Sequence, residues 1–286
     1  MTTNGAPAHP AADADSLTAA RVVVVTGSTR GIGYGLANAF LAQQCAVVIN
    51  GRTAASVDAA VQSLAADHPT GQILGASGDI GVAAQVQALW DATMARFGRV
   101  DIWINNAGLE TARALLWDVT PAEIDQVVTT NLAGTLHGCR VAIRGMAAQG
   151  GGFVYNMEGF GSDGRVAPGL TTYAATKAGI TYLTNALVEE TKELPVKVGS
   201  INPGMVLTDM LRDSIAPDRA DNARRIFNIL ADTVDTVTPW LADKVLANDE
   251  RGAHIVWLTK PKIFGRFLMA PFRKRDIFAL DDATSR

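Results

Sequence analysis

Residues 21–27 read RVVVVTG, four valines in succession stopped by a glycine. A strand with one wet face alternates apolar and polar residues, whereas an unbroken β-branched run fits a strand buried on both faces. The same run-then-turn pattern returns in AVVING, QILGASGDI, VDIWINNAG, GGFVYNM and VKVGSINPG. Between these runs lie stretches with apolar residues at helical spacing: GIGYGLANAFLAQQ, SVDAAVQSLAAD, AAQVQALWDATMARFG, TPAEIDQVVTTNLAGTLHGCRVAIRGMAAQ and TTYAATKAGITYLTNALVEETKEL. Strands buried on both faces need helices above and below them.

The alternation therefore predicts an α/β fold, a doubly wound (Rossmann) parallel sheet in a single domain. The 286 residues carry no internal repeat, and 48% hydrophobic composition supplies a large core. The domain is expected over 19–259. Within it, 205–235 is more charged and less regular, as suits a substrate lid, and 260–286 forms a basic-apolar C-terminal extension. Residues 1–18 contain Asp13 and Asp15, no apolar block and no arginine. They match neither a secretion signal nor a transit peptide, so a disordered tail and a cytoplasmic location are expected. A net charge of −3 gives no global attraction to nucleic acid. Cys45 and Cys139 share no metal-ligand spacing and read as buried packing residues of a reducing compartment; no metal is expected.

TGSTRGIG (26–33) joins the first strand to the first helix. A glycine-rich loop is weak evidence alone and strong evidence in that position. Gly27 lets the chain turn, Gly31 lets backbone approach a pyrophosphate, and Gly33 permits close helix–sheet packing. Ser28, Thr29, Arg30 and Ile32 complete the loop, and the helix N-terminus offers unpaired N–H groups to phosphate. An NAD site usually ends its second strand with an acid on the ribose 2′-hydroxyl. Here that strand ends VVINGRT, with Arg52 in place of an acid and Arg30 in the loop. Two guanidiniums suit a 2′-phosphate, so NADPH is the expected cofactor.

Tyr173 and Lys177 stand four apart in a helical stretch and share a face. A phenol with a free pKa of about 10 is a poor acid or base near neutrality. A neighbouring ammonium stabilises the phenolate and brings it toward working range.

With the Gly-x-x-x-Gly-x-Gly loop, NNAG and Tyr-x-x-x-Lys in that order, the chain resembles the short-chain dehydrogenase/reductase family. The resemblance implies that Asp79 and Ile80 edge the adenine, and that Asn106, Ala107 and Gly108 wall the cofactor. It likewise implies that Pro203, Gly204, Met205, Val206 and Thr208 hold the nicotinamide carboxamide, and that Lys177 bonds the nicotinamide ribose. Asn131 falls where the family keeps an asparagine that links the lysine to solvent through water. The family's catalytic serine is missing: the expected place reads Gly159-Phe160, and the nearest hydroxyl is Ser162, eleven residues before the tyrosine. Glu158 beside them reads either as a polar substrate contact or as a solvent-exposed residue.

FVYNMEGFGSDGR, NPGMVLTDML and RRIFNILADT narrow the resemblance to the chlorophyll b reductase branch, over about 21–259. That branch reduces the 7-formyl group of chlorophyll b or chlorophyllide b to 7-hydroxymethyl with NADPH. Tyr173 would then protonate the carbonyl oxygen and Ser162 polarise it. Other apolar carbonyls, a 3-oxoacyl thioester or a steroid-like ketone, call for the same core chemistry, and a non-catalytic NADPH-binding scaffold is the further alternative. The family's habits imply a homodimer or homotetramer through GTLHGCRVAIRG and TYLTNALVEE. KPKIFGRFLMAPFRKR (260–275) carries six basic and no acidic residues among large apolar ones. It suits peripheral association with an anionic membrane or a pigment–protein complex, and equally a core or oligomer contact.

Overall fold

The computed structural model describes residues 20–111, 113–213, 220–272 and 275–279. The tail assigned to 1–18 and the last seven residues lie outside them.

The chain alternates β1 (Val22–Val25), α1 (Gly31–Ala42), β2 (Ala46–Gly51), α2 (Ala54–Ala65), β3 (Ile73–Ser77), α3 (Ala83–Phe97) and β4 (Ile102–Asn105). Then come α4 (Pro121–Val128), α5 (Gly134–Gln149), β5 (Gly152–Met157), α6 (Thr171–Glu190) and β6 (Val196–Asn202). Seven strands form one parallel sheet in the order β3-β2-β1-β4-β5-β6-β9, the last being β9 (His254–Val256). The order reverses between β1 and β4, and the crevice beyond the carboxyl ends of those strands is where such sheets bind ligands.

The valines explain themselves in this sheet. Val22 to Val25 are all essentially buried, with Val23 and Val25 in one core layer and Val24 in the other. The first layer packs α1, α2 and the later helix α9 (Val234–Ala247) through Leu36, Phe40, Leu64, Leu241 and Val245. The second packs α3 and α5 through Leu89, Trp90, Cys139 and Met146 over Trp103 of β4. Both cysteines are buried and unpaired, as expected.

Two departures from the sequence reading matter for the site. The helix expected across 120–149 runs unbroken from Pro121, but Thr129–Ala133 is π-helical, inserting a wider turn between α4 and α5. The irregular region after β6 folds as β7 (Val206–Leu207), α7 (Asp209–Asp213), α8 (Ala220–Leu230) and β8 (Asp232–Thr233), with β7 and β8 paired in parallel. Beyond β9, α10 (Lys260–Met269) opens the C-terminal extension.

That extension is fastened to the domain through one acid. Asp232 accepts from Trp257 Nε1 (2.7 Å), Arg266 Nη2 (2.6 Å) and Arg275 Nη2 (2.8 Å). Ile277 is buried with Leu207, Phe227 and Ala231 in a third, smaller core.

Candidate active site

A cavity of about 1620 Å³ opens at the carboxyl ends of the strands. Its first wall is the loop after β1. Gly27 and Gly31 both hold positive φ, +62° and +57°, which glycine alone adopts without strain. A Cβ on Gly33 would meet Gly27 O at 2.4 Å and Asn106 Nδ2 at 2.5 Å, so that glycine is required by packing. Asn106 secures the loop from across the crevice, donating through Nδ2 to Thr26 O (2.9 Å) and Gly27 O (3.1 Å).

Helix α1 begins without a side-chain cap and without an acid in its first turn. Its leading N–H groups therefore face the crevice unneutralised, as a diphosphate requires. Thr29, Arg30 and Ile32 line the cavity with the loop glycines, whereas Ser28 does not. Ser28 is wholly buried beneath the turn, donating to Val25 O (2.7 Å) and accepting from Asn50 N (2.9 Å). It shapes the loop from below.

Arg52 lines the cavity past the end of β2, where Asn50 turns its amide inward to Ala76 O and Gly78 O. Arg30 is largely exposed, 3.9 Å from Asp209. No acid stands at the strand end itself. Asp79 and Ile80, Ala107 and Gly108, and Pro203, Gly204, Met205, Val206 and Thr208 complete the same wall. The residues present thus fit a nicotinamide dinucleotide.

Tyr173 and Lys177 enter from α6 opposite this wall, with the lysine Nζ 5.7 Å from the tyrosine ring centre. Lys177 is 3% exposed and donates from Nζ to Met157 O at 2.9 Å. Burial draws its ammonium down to about 8, against an upward pull from Glu158. The lysine does not bring the phenol down as expected: with Nζ 5.7 Å from the ring centre, burial, and then the negative charge of Glu110, hold Tyr173 above its ordinary pKa. The phenol is therefore protonated at neutral pH, the state a proton donor needs.

Asn131 sits within the π-helical turn, fully buried. Its side chain accepts from Leu109 N (2.7 Å) and donates to Leu109 O (2.8 Å) and Thr176 Oγ1 (3.1 Å). It ties the segment after NNAG to α6, one residue from Lys177. The extra residue of a π turn re-aims a side chain that a regular helix would point elsewhere.

Gly159 is the residue against the phenol: a Cβ there would meet Tyr173 Oη at 2.4 Å. Ser162 lines the cavity, but its hydroxyl accepts from Gly159 N (3.2 Å) and donates to Lys177 O (3.3 Å). Its hydroxyl thus bonds backbone on both sides and fastens the turn that carries Gly159.

Two acids complete the site. Glu158, read from sequence as a substrate contact or an exposed residue, is 6% exposed and accepts from His254 Nε2 (2.9 Å) and Asn202 Nδ2 (3.2 Å). Burial pushes its carboxyl up, but the hydrogen bonds and charge of His254, with Asn202 and Ser200, outweigh it and hold the pKa below the ordinary value. The Glu158 hydrogen bond raises the His254 imidazole in turn, against partial burial. Glu110 lines the substrate side, where burial lifts its carboxyl to about 7 against the pull of Arg113. No sequence signal marked the Glu158–His254 pair, because Glu158, just past the end of β5, and His254, at the start of β9, lie 96 residues apart. Glu110 carried a faint one, standing directly after NNAG-Leu109.

The short chain dehydrogenase family matches residues 21–219. The chain is 35% identical over 253 residues to chlorophyll(ide) b reductase NOL, chloroplastic, of Oryza sativa subsp. japonica, covering 85% of this chain and 73% of that one. Among solved structures it superposes on levodione reductase with TM-score 0.76 and 25% identity, covering 85% of this chain and 98% of that one. It superposes on the 3-ketoacyl-(acyl-carrier-protein) reductase from Brucella melitensis complexed with NADH with TM-score 0.73 and 26% identity, covering 82% and 96%.

Proposed function

This chain belongs to the short-chain dehydrogenase/reductase family and is an enzyme of that class, and we propose that it reduces a chlorophyll b-like 7-formyl group with NADPH. The observation that carries this reading is the cavity: at about 1620 Å³ it exceeds the roughly 300–1,000 Å³ of ordinary ligand pockets. It has room for a large substrate beside a dinucleotide, and Gly159 leaves the phenol open to a bulky carbonyl. Similarity to chlorophyll(ide) b reductase over most of the chain supports the same substrate class.

NADPH, when bound along the glycine loop, supplies the hydride. The chain's own residues do the rest. Gly27, Gly31 and the start of α1 receive the diphosphate, while Arg30 and Arg52 flank the 2′-phosphate. The phenol of Tyr173 gives its proton to the carbonyl oxygen as negative charge develops there. Lys177 stabilises the resulting phenolate with its ammonium, and Asn131 holds the segment 109–110 against α6 so that the wall and the acid keep their spacing. Ser162 keeps the Gly159 turn closed beneath the substrate. Exposed Leu136 on α5 and Tyr182 on α6 support a homo-oligomer through those helices.

Incubation with chlorophyll b or chlorophyllide b and NADPH, followed by pigment chromatography, is expected to yield the 7-hydroxymethyl product. Tyr173→Phe should lower kcat by about 10²–10⁴-fold, the share of a positioned general acid. Turnover of 3-oxoacyl thioesters or steroid-like ketones without turnover of the pigment would replace the substrate. An indifferent Tyr173→Phe variant would remove the enzymatic reading of this tyrosine. A lower Kd for NADH than for NADPH would remove the arginine argument.

A further inference from the structure

Helix α10 has two unlike sides. It starts at Thr259, whose hydroxyl accepts from Lys262 N, and Pro261 occupies its first turn. The inner side is fastened: Arg266 reaches Asp232, and Lys262 Nζ lies 3.1 Å from the Trp257 ring centre. Lys260 and Ile263, at its first turn, line the active-site cavity. The outer side is apolar and exposed. Phe264 is 71% exposed and Leu268, four residues on, 63%, with Phe267 and Met269 exposed beside them and Phe272, in the turn after the helix, 81% exposed. Neighbouring α8 packs on α10 and adds exposed Ile226 next to exposed Arg224 and Arg225.

Contiguous apolar surface on a folded chain marks an interaction site. Charge identifies the occupant. Residues 260–275 contain six basic side chains and no acidic one, and α8 adds two more cations beside its exposed isoleucine. Arg266 and Arg275 are held on Asp232, and a bilayer with anionic headgroups accepts aromatic and aliphatic side chains together with the cations that remain. At 1.5 Å per residue a helix of this length cannot cross a hydrocarbon core of about 30 Å, and no described helix is long and apolar enough to do so. It can lie in the plane of the surface.

We propose that α10, with the adjoining edge of α8, is an interfacial helix that seats the enzyme on an anionic lipid surface, the cavity opening beside the seat. Lipid contact does not depend on the identity of the carbonyl. The passage of an apolar substrate from bilayer to cavity past Ile263 does rest on the function proposed above.

Flotation of the full chain with vesicles of phosphatidylcholine alone, or mixed with phosphatidylglycerol, tests the seat. Recovery with the mixed vesicles is expected, weakened by salt. Phe264→Ser/Leu268→Ser/Phe272→Ser should lose about ten-fold or more of that binding. These side chains lie outside the cavity, so Kd for NADPH should be unchanged. Failure of the parent to float with mixed vesicles would overturn the proposal, as would equal flotation of the triple variant. Light scattering that shows the triple variant dissociating an assembly of the parent would place a second copy of the chain on the stripe instead. A probe that keeps the fold is Phe272→Cys carrying an environment-sensitive fluorophore, Cys45 and Cys139 being buried. A blue shift on adding mixed vesicles is expected, and an unchanged spectrum counts against the seat.

Discussion

The Tyr173–Lys177 pair is ordinary for its family in spacing, and its surroundings set its behaviour. Lys177 is desolvated to about 8 while Glu158 pulls the other way. Glu158 therefore acts on the proton chemistry through the lysine, as a positioning residue. Removing its charge leaves burial unopposed, so the Lys177 ammonium loses its proton at lower pH. Glu158→Gln is expected to move the alkaline limb of the kcat profile down by about one pH unit, the scale of a nearby opposite charge. A variant that lost activity uniformly across pH would show that the carboxylate only supports packing. Other titratable groups contribute around the site: His254 on β9, hydrogen-bonded to Glu158, and Glu110 after β4, which acts on Tyr173.

Among the elements, the β7–β8 pair and the extension depend on each other. β7 and β8 are only two residues each and cannot be stable as an isolated ladder. What holds them is Asp232, 4% exposed, with two guanidiniums and an indole on its carboxylate. Asp232→Ala would leave Arg266 and Arg275 without their shared carboxylate, held only by the backbone carbonyls of Leu230, Ile229 and Ala231. Loss of one partner of a buried ion pair costs about 3–5 kcal/mol, and here less, since both arginines are partly solvated. About 2 kcal/mol of destabilisation is expected in denaturant titration, with α10 becoming sensitive to proteolysis near 259. Parental stability in this variant would show the clamp to be incidental.

The whole molecule was legible from sequence where local pattern and tertiary role coincide. The valine run declares a doubly buried strand, and the glycine loop and the tyrosine–lysine face declare themselves by spacing within one turn. The Glu158–His254 bond and the Asp232 clamp could not be read, because each needs the fold to join segments from 25 to 96 residues apart. Nor was the π turn at Asn131 visible, since its local sequence suits regular α winding, while the buried side chain bonds Leu109 and Thr176 across the fold. Cofactor binding should register on the molecule as a whole. NADPH at 100 times its Kd is expected to stabilise the fold by about 2.7 kcal/mol, read as a rise in Tm, and NADH at equal concentration by less. A larger shift with NADH would contradict the preference assigned to Arg30 and Arg52.

Asp232 also ties the edge of the cavity to the seat of α10. Its backbone N–H bonds Met205 O, beside the cavity, while its carboxylate holds α10. Free energies coupled through one such tie are reciprocal. To the extent that a filled cavity steadies the Met205 loop, it tightens the seat of α10, and a surface engaged by α10 returns the same factor to the cavity. The enzyme would then be most receptive where its substrate is dissolved, with a single aspartate as the messenger.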